Sequence, residues 1–333
     1  MPEREQLEQS KTIQRRTGRN FHVATRLFPE RIRHATYVLY GFFRIADDVV
    51  DDPEAPPAPE QRAELARIRA EALGEQPPTT PVLAAFADLR EQYDISEREI
   101  AEFVSAMERD VSPEDYDTYE DLEAYLRGSA VAVAYMMLDV VEPESPASAR
   151  PHARALGEAF QLTNFLRDVR EDVLDYDRVY LPVETLERHG VSTEQVRRLE
   201  FSEGFAAAMR TELERTEALY RTGVEGIERL PADCQFPVLL AAVIYADHHR
   251  LVREQGYDVL SHRPTLSNRR RFTLLARTWW HWRRTGDPVE TFAAMDPFGD
   301  EADAGVSVAG LRRATDPVKR AVTALRSRLR LSE

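Results

Sequence analysis

The sequence predicts an all-α protein, and three observations carry the prediction. Glycine is sparse, at 14 of 333 residues. Alternating apolar–polar runs are hard to find, and amphipathic stretches recur along the whole chain. The first strong helix covers 31–51 and is stopped by Pro53 and the turn-like "DDPEAPPAPE". Helices follow at about 60–73, 81–93, 96–110 and 118–140; Ser96 is an N-cap, with Glu99 closing a capping box. "EPESPASARP" reads as a loop, and a long helix covers about 151–175. Further helices are expected near 193–199, 202–229, 235–255 and 267–285. From 286 to 306 the chain is acidic and broken by Pro and Gly, as a mobile linker or surface flap would be. No period of 20–50 residues repeats.

From length alone two domains are the default and one large domain is possible, followed by a tail over 286–333 that joins the acidic linker to a basic amphipathic helix. In "PVKRAVTALRSRLRL" (317–331), Val318, Val322, Leu325 and Leu329 share one face and basic residues fill much of the rest. Such a helix suits peripheral contact with an anionic bilayer; packing against the acidic body is the competing reading.

Composition narrows the function. The chain has 58 acidic and 44 basic side chains, a net charge of −14, with no strong basic block before the C-terminal part, which argues against a nucleic-acid partner. Lys11 and Lys319 are its only lysines. Acid excess with scarce lysine matches a halophilic surface, and an ordinary acidic surface is the alternative. The lone Cys234 excludes an internal disulfide and a thiolate metal cluster, and reads as a buried packing residue. With no apolar N-terminal leader and no run of 18 or more apolar residues, the expected location is cytoplasmic, at most peripheral to a membrane.

The chemistry is concentrated in two segments. In "YGFFRIADDVVDD" (40–52) an aromatic, apolar run ends in carboxylates. Residues four apart share a helix face, so Asp47 and Asp51 point the same way, bordered by Arg44 and Tyr40. In "QLTNFLRDVRED" (161–172) Asn164, Asp168 and Asp172 form a second stripe flanked by Arg167 and Glu171. An oxygen-only stripe on a core helix is costly unless something neutralises it. Oxygen ligands without His or Cys select a hard cation. Magnesium, with manganese as a substitute, binds through one or two carboxylates and shares its other positions with water and phosphate. Arg44, Arg167 and Arg178 are then candidate diphosphate contacts. A solvated acidic face is the competing reading; two stripes, each inside an apolar segment, favour a site. His248 and His249 lack a convincing metal spacing and read as structural or surface residues.

Those segments resemble the squalene/phytoene synthase family of head-to-head trans-prenyltransferases. The likeness runs from about Arg16 to Arg271. "FHVATRLFPERIRHATYVLYGFFRIADDVVDD" resembles the family's opening segment and first aspartate motif. "YEDLEAYLRGSA" is similar to its central stretch, and "QLTNFLRDVREDVLDYDRVYLP" to its second motif. "AAVIYADHHRLVREQGYDVLSHRPTLSNRRR" resembles the close of the phytoene and dehydrosqualene branch. At the N-terminal end, "TGRNF" offers Thr17, Gly18 and Asn20 where relatives often carry Ser.

The resemblance implies an all-α isoprenoid synthase fold, a single helical domain over 1–285 around a central cavity, with both stripes at its mouth. Asp47, Asp51, Asp168 and Asp172 would hold magnesium, assisted by Asn164. Arg44 and Arg167 would contact diphosphate, and Tyr40, Tyr125 and Tyr245 match cavity tyrosines. The implied reaction joins two geranylgeranyl diphosphates through a cyclopropylcarbinyl diphosphate to phytoene, releasing diphosphate. The alternative is the use of two farnesyl diphosphates to make squalene, which needs NADPH, or dehydrosqualene. "GSAVAVAYMM" (128–137), beginning Gly128, Ser129 and Ala130, suits the cavity wall, and close helix packing is its competing reading. A head-to-tail chain-elongating enzyme fits less well, for want of an Arg-Arg pair after the first motif. A non-enzymatic acidic scaffold would tolerate loss of Asp168.

Overall fold

A computed structural model of the protein describes residues 24–52 and 54–299; among these, every regular element is helical. Thr17, Gly18, Asn20 and the basic segment 317–331 lie outside the described residues. The first half contains α1 (Glu30–Asp51), α2 (Ala58–Ala72), α3 (Pro81–Tyr93), α4 (Glu97–Asp110), α5 (Tyr119–Leu126) and α6 (Val133–Val141). A π-helical segment, Arg127–Ala132, joins α5 to α6. The second half contains α7 (Pro146–Tyr176), α8 (Val183–Arg188), α9 (Thr193–Arg197), α10 (Glu203–Glu225), α11 (Ala232–Glu254), α12 (Asn268–Thr285) and α13 (Pro288–Met295).

Local signals explain the boundaries. Thr80 caps α3 by accepting the Leu83 N–H at 3.2 Å, and Pro81 supplies a preset φ at the first helical position. A capping box does form, but at α5: Thr118 accepts the Asp121 N–H and Asp121 accepts the Thr118 N–H at 3.0 Å. The box expected at Ser96 does not form, because Glu99 is spent elsewhere. That carboxylate is buried and pairs with Arg127 at 2.7 Å and Arg150 at 3.1 Å. α7 starts earlier than expected, at Pro146, since proline is tolerated in a first turn and Pro151 forfeits only one backbone bond.

The 31-residue α7 is the axis of the fold. It packs along α10 and against α6, α11 and the π segment. Gly223 permits the α10 contact; a Cβ there would fall 2.8 Å from the Leu156 Cβ. One apolar core lies among α1 to α6, a second among α7, α10, α11, α12 and α13, and a third under α8 and α9. Cys234 is fully buried, as expected for a packing cysteine. Tyr119–Val141 is long and apolar enough to cross a bilayer, yet most of it is buried inside the protein.

Two expectations need correction. The stretch from 286 is not a mobile linker up to 299: α13 docks on the second core through Phe292 and Met295, followed by Phe298, all buried. Asp287 caps it by accepting the Glu290 N–H at 2.9 Å. Residues 300–306 lie outside the described residues. A basic block also precedes the C-terminal tail, since α12 carries six arginines and three tryptophans and no acidic residue. If α13 is integral to the fold, Phe292→Ala costs about 3–5 kcal/mol. Thermal unfolding followed by circular dichroism should show the lower Tm; a linker would leave Tm unchanged.

Candidate active site

The first and second cores both border a cavity of about 1010 Å³. The two stripes meet at it from different helices. α1 contributes Tyr40, Arg44, Asp47 and Asp51, and α7 contributes Asn164, Arg167, Asp168 and Asp172. Arg178, in the loop after α7, also lines it, as do Tyr125, Ser129, Ala130 and Tyr245. The i, i+4 spacing did its work on both helices: apolar neighbours face the cores and the polar stripe is left facing the chamber.

Arginines hold the carboxylates. Arg178 donates from one nitrogen to Asp51 Oδ1 at 2.9 Å and from the other to the backbone carbonyls of Val50 and Asp110, each at 3.1 Å. Arg44 pairs with Asp48 at 2.6 Å and approaches Asp51 at 3.9 Å. Asp168 accepts two N–H groups from Arg167, at 2.6 and 2.5 Å, and two more from Arg263, at 2.8 and 2.9 Å. Arg263 was not singled out in the sequence; it stands inside "GYDVLSHRPTLSNRRR", where no helical period marks it. Asp110, Tyr180 and Glu171 are further polar residues of the wall, from the end of α4, the loop after α7 and α7 itself.

The site is short of positive charge where it is driest. Burial, and then Asp51, pushes the Asp47 carboxyl up to about 7. Burial, and then Asp168, pushes Asp172 up to about 8. The buried Oε2 of Glu171 has no hydrogen-bond partner. A cation would relieve all three. Among the described residues no three His, Cys, Asp or Glu groups form a ready-made metal cage. Carboxylates grouped on two helices rather than in a cage fit magnesium, which draws much of its shell from water and phosphate.

Other expected wall residues divide. Ser129 and Ala130 line the cavity, with the Ser129 hydroxyl donating back to the Tyr125 carbonyl at 3.3 Å. Gly128 does not line it. A Cβ there would lie 2.3 Å from the Glu102 carbonyl oxygen, so its role is close approach to α4. Tyr135 also turns away, its ring 4.0 Å below the Arg150 guanidinium. The histidines are buried rather than on the surface. His248 lines the cavity and burial pushes it down to about 4, while His249 lies between Thr163 at 3.0 Å and Glu217 at 3.2 Å. The far end of the chamber is lined by Ala149 and Ala153 together with the larger His152, Leu156, Ile227 and Leu230, while Gly157, Gly223 and Gly226 permit close approach to Ala134, Leu156 and His152.

Comparison with known proteins agrees with this geometry. The family model described as squalene/phytoene synthase matches residues 14–270. A phytoene synthase of Cereibacter sphaeroides is 30% identical over 294 residues, covering 85% of this chain and 79% of its own length. A phytoene synthase of Thermus thermophilus is 32% identical, with 78% of this chain and 87% of its own covered. Among solved structures, a dehydrosqualene synthase in complex with ligand superposes with a TM-score of 0.76 at 26% identity, covering 84% of this chain and 97% of its own.

The raised carboxyls make stability depend on pH. Asp47 and Asp172 lie above their ordinary value of 3.8 in the folded protein, so the folded state binds protons that the unfolded chain releases. Their contribution is complete below about pH 4 and is lost as pH rises through about 7 and 8. Without divalent cations, Asp172→Asn should therefore raise Tm relative to the parent at pH 8.5, and the two should converge near pH 4. Scanning calorimetry at the two pH values measures this.

Proposed function

Because the chain belongs to the squalene/phytoene synthase family, and is a prenyltransferase, we propose that it joins two geranylgeranyl diphosphates head-to-head to phytoene. The observation that carries the reading is the pair of stripes, Asp47/Asp51 and Asn164/Asp168/Asp172, at one chamber with apolar depth behind them. Those five residues would hold magnesium, or manganese in its place. The bound ions supply neutralisation of the charge that grows on a departing diphosphate.

The rest follows from the chain's own groups. Arg44, Arg167 and Arg178 are aimed at the diphosphate end, where their preorganised N–H donors stabilise developing negative charge. Asp168 accepts from Arg167 and Arg263 together, so substrate phosphate competes with the carboxylate for those guanidiniums. Tyr40, Tyr125 and Tyr245 border the allylic cation, which the faces of aromatic rings favour. The apolar wall excludes water, which would capture the cation as an alcohol. The double bond of the second substrate then attacks it, giving the cyclopropylcarbinyl diphosphate, which ionises in turn.

Ala149 and Ala153, at the far end of the chamber, support the C20 substrate, since bulky side chains there would shorten the accepted chain. A second reading, with two farnesyl diphosphates, is favoured by the likeness to a dehydrosqualene synthase. Incubation with each diphosphate and magnesium, with and without NADPH, separates them by product mass: a C40 hydrocarbon formed without NADPH is expected, and C30 products alone would reverse the assignment. Asp168→Ala should lower turnover roughly 10²–10³-fold with the circular dichroism spectrum retained. Ala153→Phe should move the preference towards C15 substrate, read as the ratio of the two hydrocarbons in a mixed incubation.

A further inference from the structure

Asp110, the last residue of α4, is a buried carboxylate that lines the cavity and belongs to neither acidic stripe. It faces a box of aromatic rings. The Tyr125 hydroxyl donates to Asp110 Oδ2 at 2.7 Å, and the Tyr180 hydroxyl lies 3.5 Å from Oδ1. Tyr180 stacks on Phe165 with centroids 3.8 Å apart, and the Tyr125 ring is 5.7 Å from Tyr180. All three rings line the chamber. Arg178 anchors the back of this box through the Asp110 carbonyl while its other nitrogen holds Asp51. The carboxylate is thus fixed to one ring and indirectly to the first stripe.

This arrangement suits one chemical task. A neutral phenol is a weak base, and burial drives the Tyr125 hydroxyl far above its ordinary value, so it does not ionise alone. A phenol already donating to a carboxylate can accept a proton on its oxygen while passing its own onward. We propose that Asp110, acting through Tyr125, receives the proton lost in the last step of the reaction. A C–H bond beside the cationic carbon breaks and its electron pair becomes the new C=C bond. The proton joins the Tyr125 oxygen as that residue's own hydroxyl proton moves to Asp110 Oδ2. The positive charge is cancelled, Asp110 ends as a carboxylic acid, and the released diphosphate takes no part.

The surroundings are consistent with that role. Burial pushes Asp110 up to about 6, and Asp51 on α1 adds to the shift. Arg178 and the hydroxyls of Tyr125 and Tyr180 oppose it. Asp110 in turn raises Asp47 on α1, and Tyr116, whose ring lies 5.5 Å from Tyr125 with Arg109 nearby. At neutral pH the carboxylate is ionised and able to accept.

The inference rests on the prenyltransferase reading, in which a cation ends by losing a proton. Its test uses the full chain with magnesium and geranylgeranyl diphosphate, and reads the ratio of hydrocarbon to water-captured alcohol, which does not depend on overall rate. Asp110→Asn keeps an acceptor for Tyr125 but cannot take the proton; the ratio should fall by about 10²-fold, with partial rescue in Asp110→Glu. In the parent the hydrocarbon fraction should rise as pH passes 6, and in Asp110→Asn it should be flat. Tyr125→Phe should shift the ratio equally, and the double variant no further. An unchanged ratio and pH profile in Asp110→Asn overturns the proposal. If that variant fails to fold, an unchanged ratio in Tyr125→Phe overturns it instead. A parent that turns over neither diphosphate strikes the functional reading. Carboxyl NMR then reads the dyad directly: Asp110 titrating near 4, with no response to Tyr125→Phe, overturns the proposal independently.

Discussion

The constraint that organises this molecule is the repulsion between carboxylates withdrawn from water. Asp47 with Asp51, and Asp168 with Asp172, are like charges one helical turn apart, on helices whose other faces are core. One carboxyl of each stripe is held to its proton by burial and by its neighbour, Asp47 by Asp51 and Asp172 by Asp168. The fold answers with guanidinium groups brought from elsewhere in the chain. Arg178 reaches α1 from the loop after α7, and Arg263 reaches α7 from the segment before α12. The chamber exists because these helices are held near one another yet kept from closing.

Arg178 does more than neutralise. Its two terminal nitrogens join Asp51, the Val50 carbonyl and the Asp110 carbonyl, so one buried side chain sets α1 against the end of α4. Breaking a buried pair of this kind costs far more than its net contribution, because the uncompensated partner remains buried. The charged end of the chamber and its aromatic end are therefore coupled through a single residue. The surface ion pairs along α8 and α9 carry no such weight, being exposed and screened.

What could be read from the sequence was what has a period. The stripes of α1 and α7, the helical class and most helix limits follow from residues spaced three or four apart, and the chamber gathers what that spacing grouped. Arg263, Asp110 and Tyr180 escaped because their meaning comes from tertiary contact: each stands at a helix end or in a loop. Gly128 was misread as cavity wall because a small residue serves an open chamber and a tight helix crossing alike; only the 2.3 Å approach to Glu102 separates the two. The 286–299 stretch misled for the opposite reason. Its prolines and acids suggested a linker, yet Phe292, Met295 and Phe298 stand three apart, and that spacing buried them. Ser96 offered the right letters for a capping box, but two distant arginines claimed Glu99.

The π-helical segment between α5 and α6 has a further consequence. Winding from i to i+5 accommodates about one residue more than a regular helix of the same turn. Loss of one residue within Arg127–Ala132 would thus be absorbed as ordinary α-winding, leaving Val133–Val141 in phase with the chamber. The same loss midway along α7 would swing Asp168 and Asp172 together about 100° away from the chamber. Of the two long walls, one can vary in length without losing its aim, and the other is bound to its residue count.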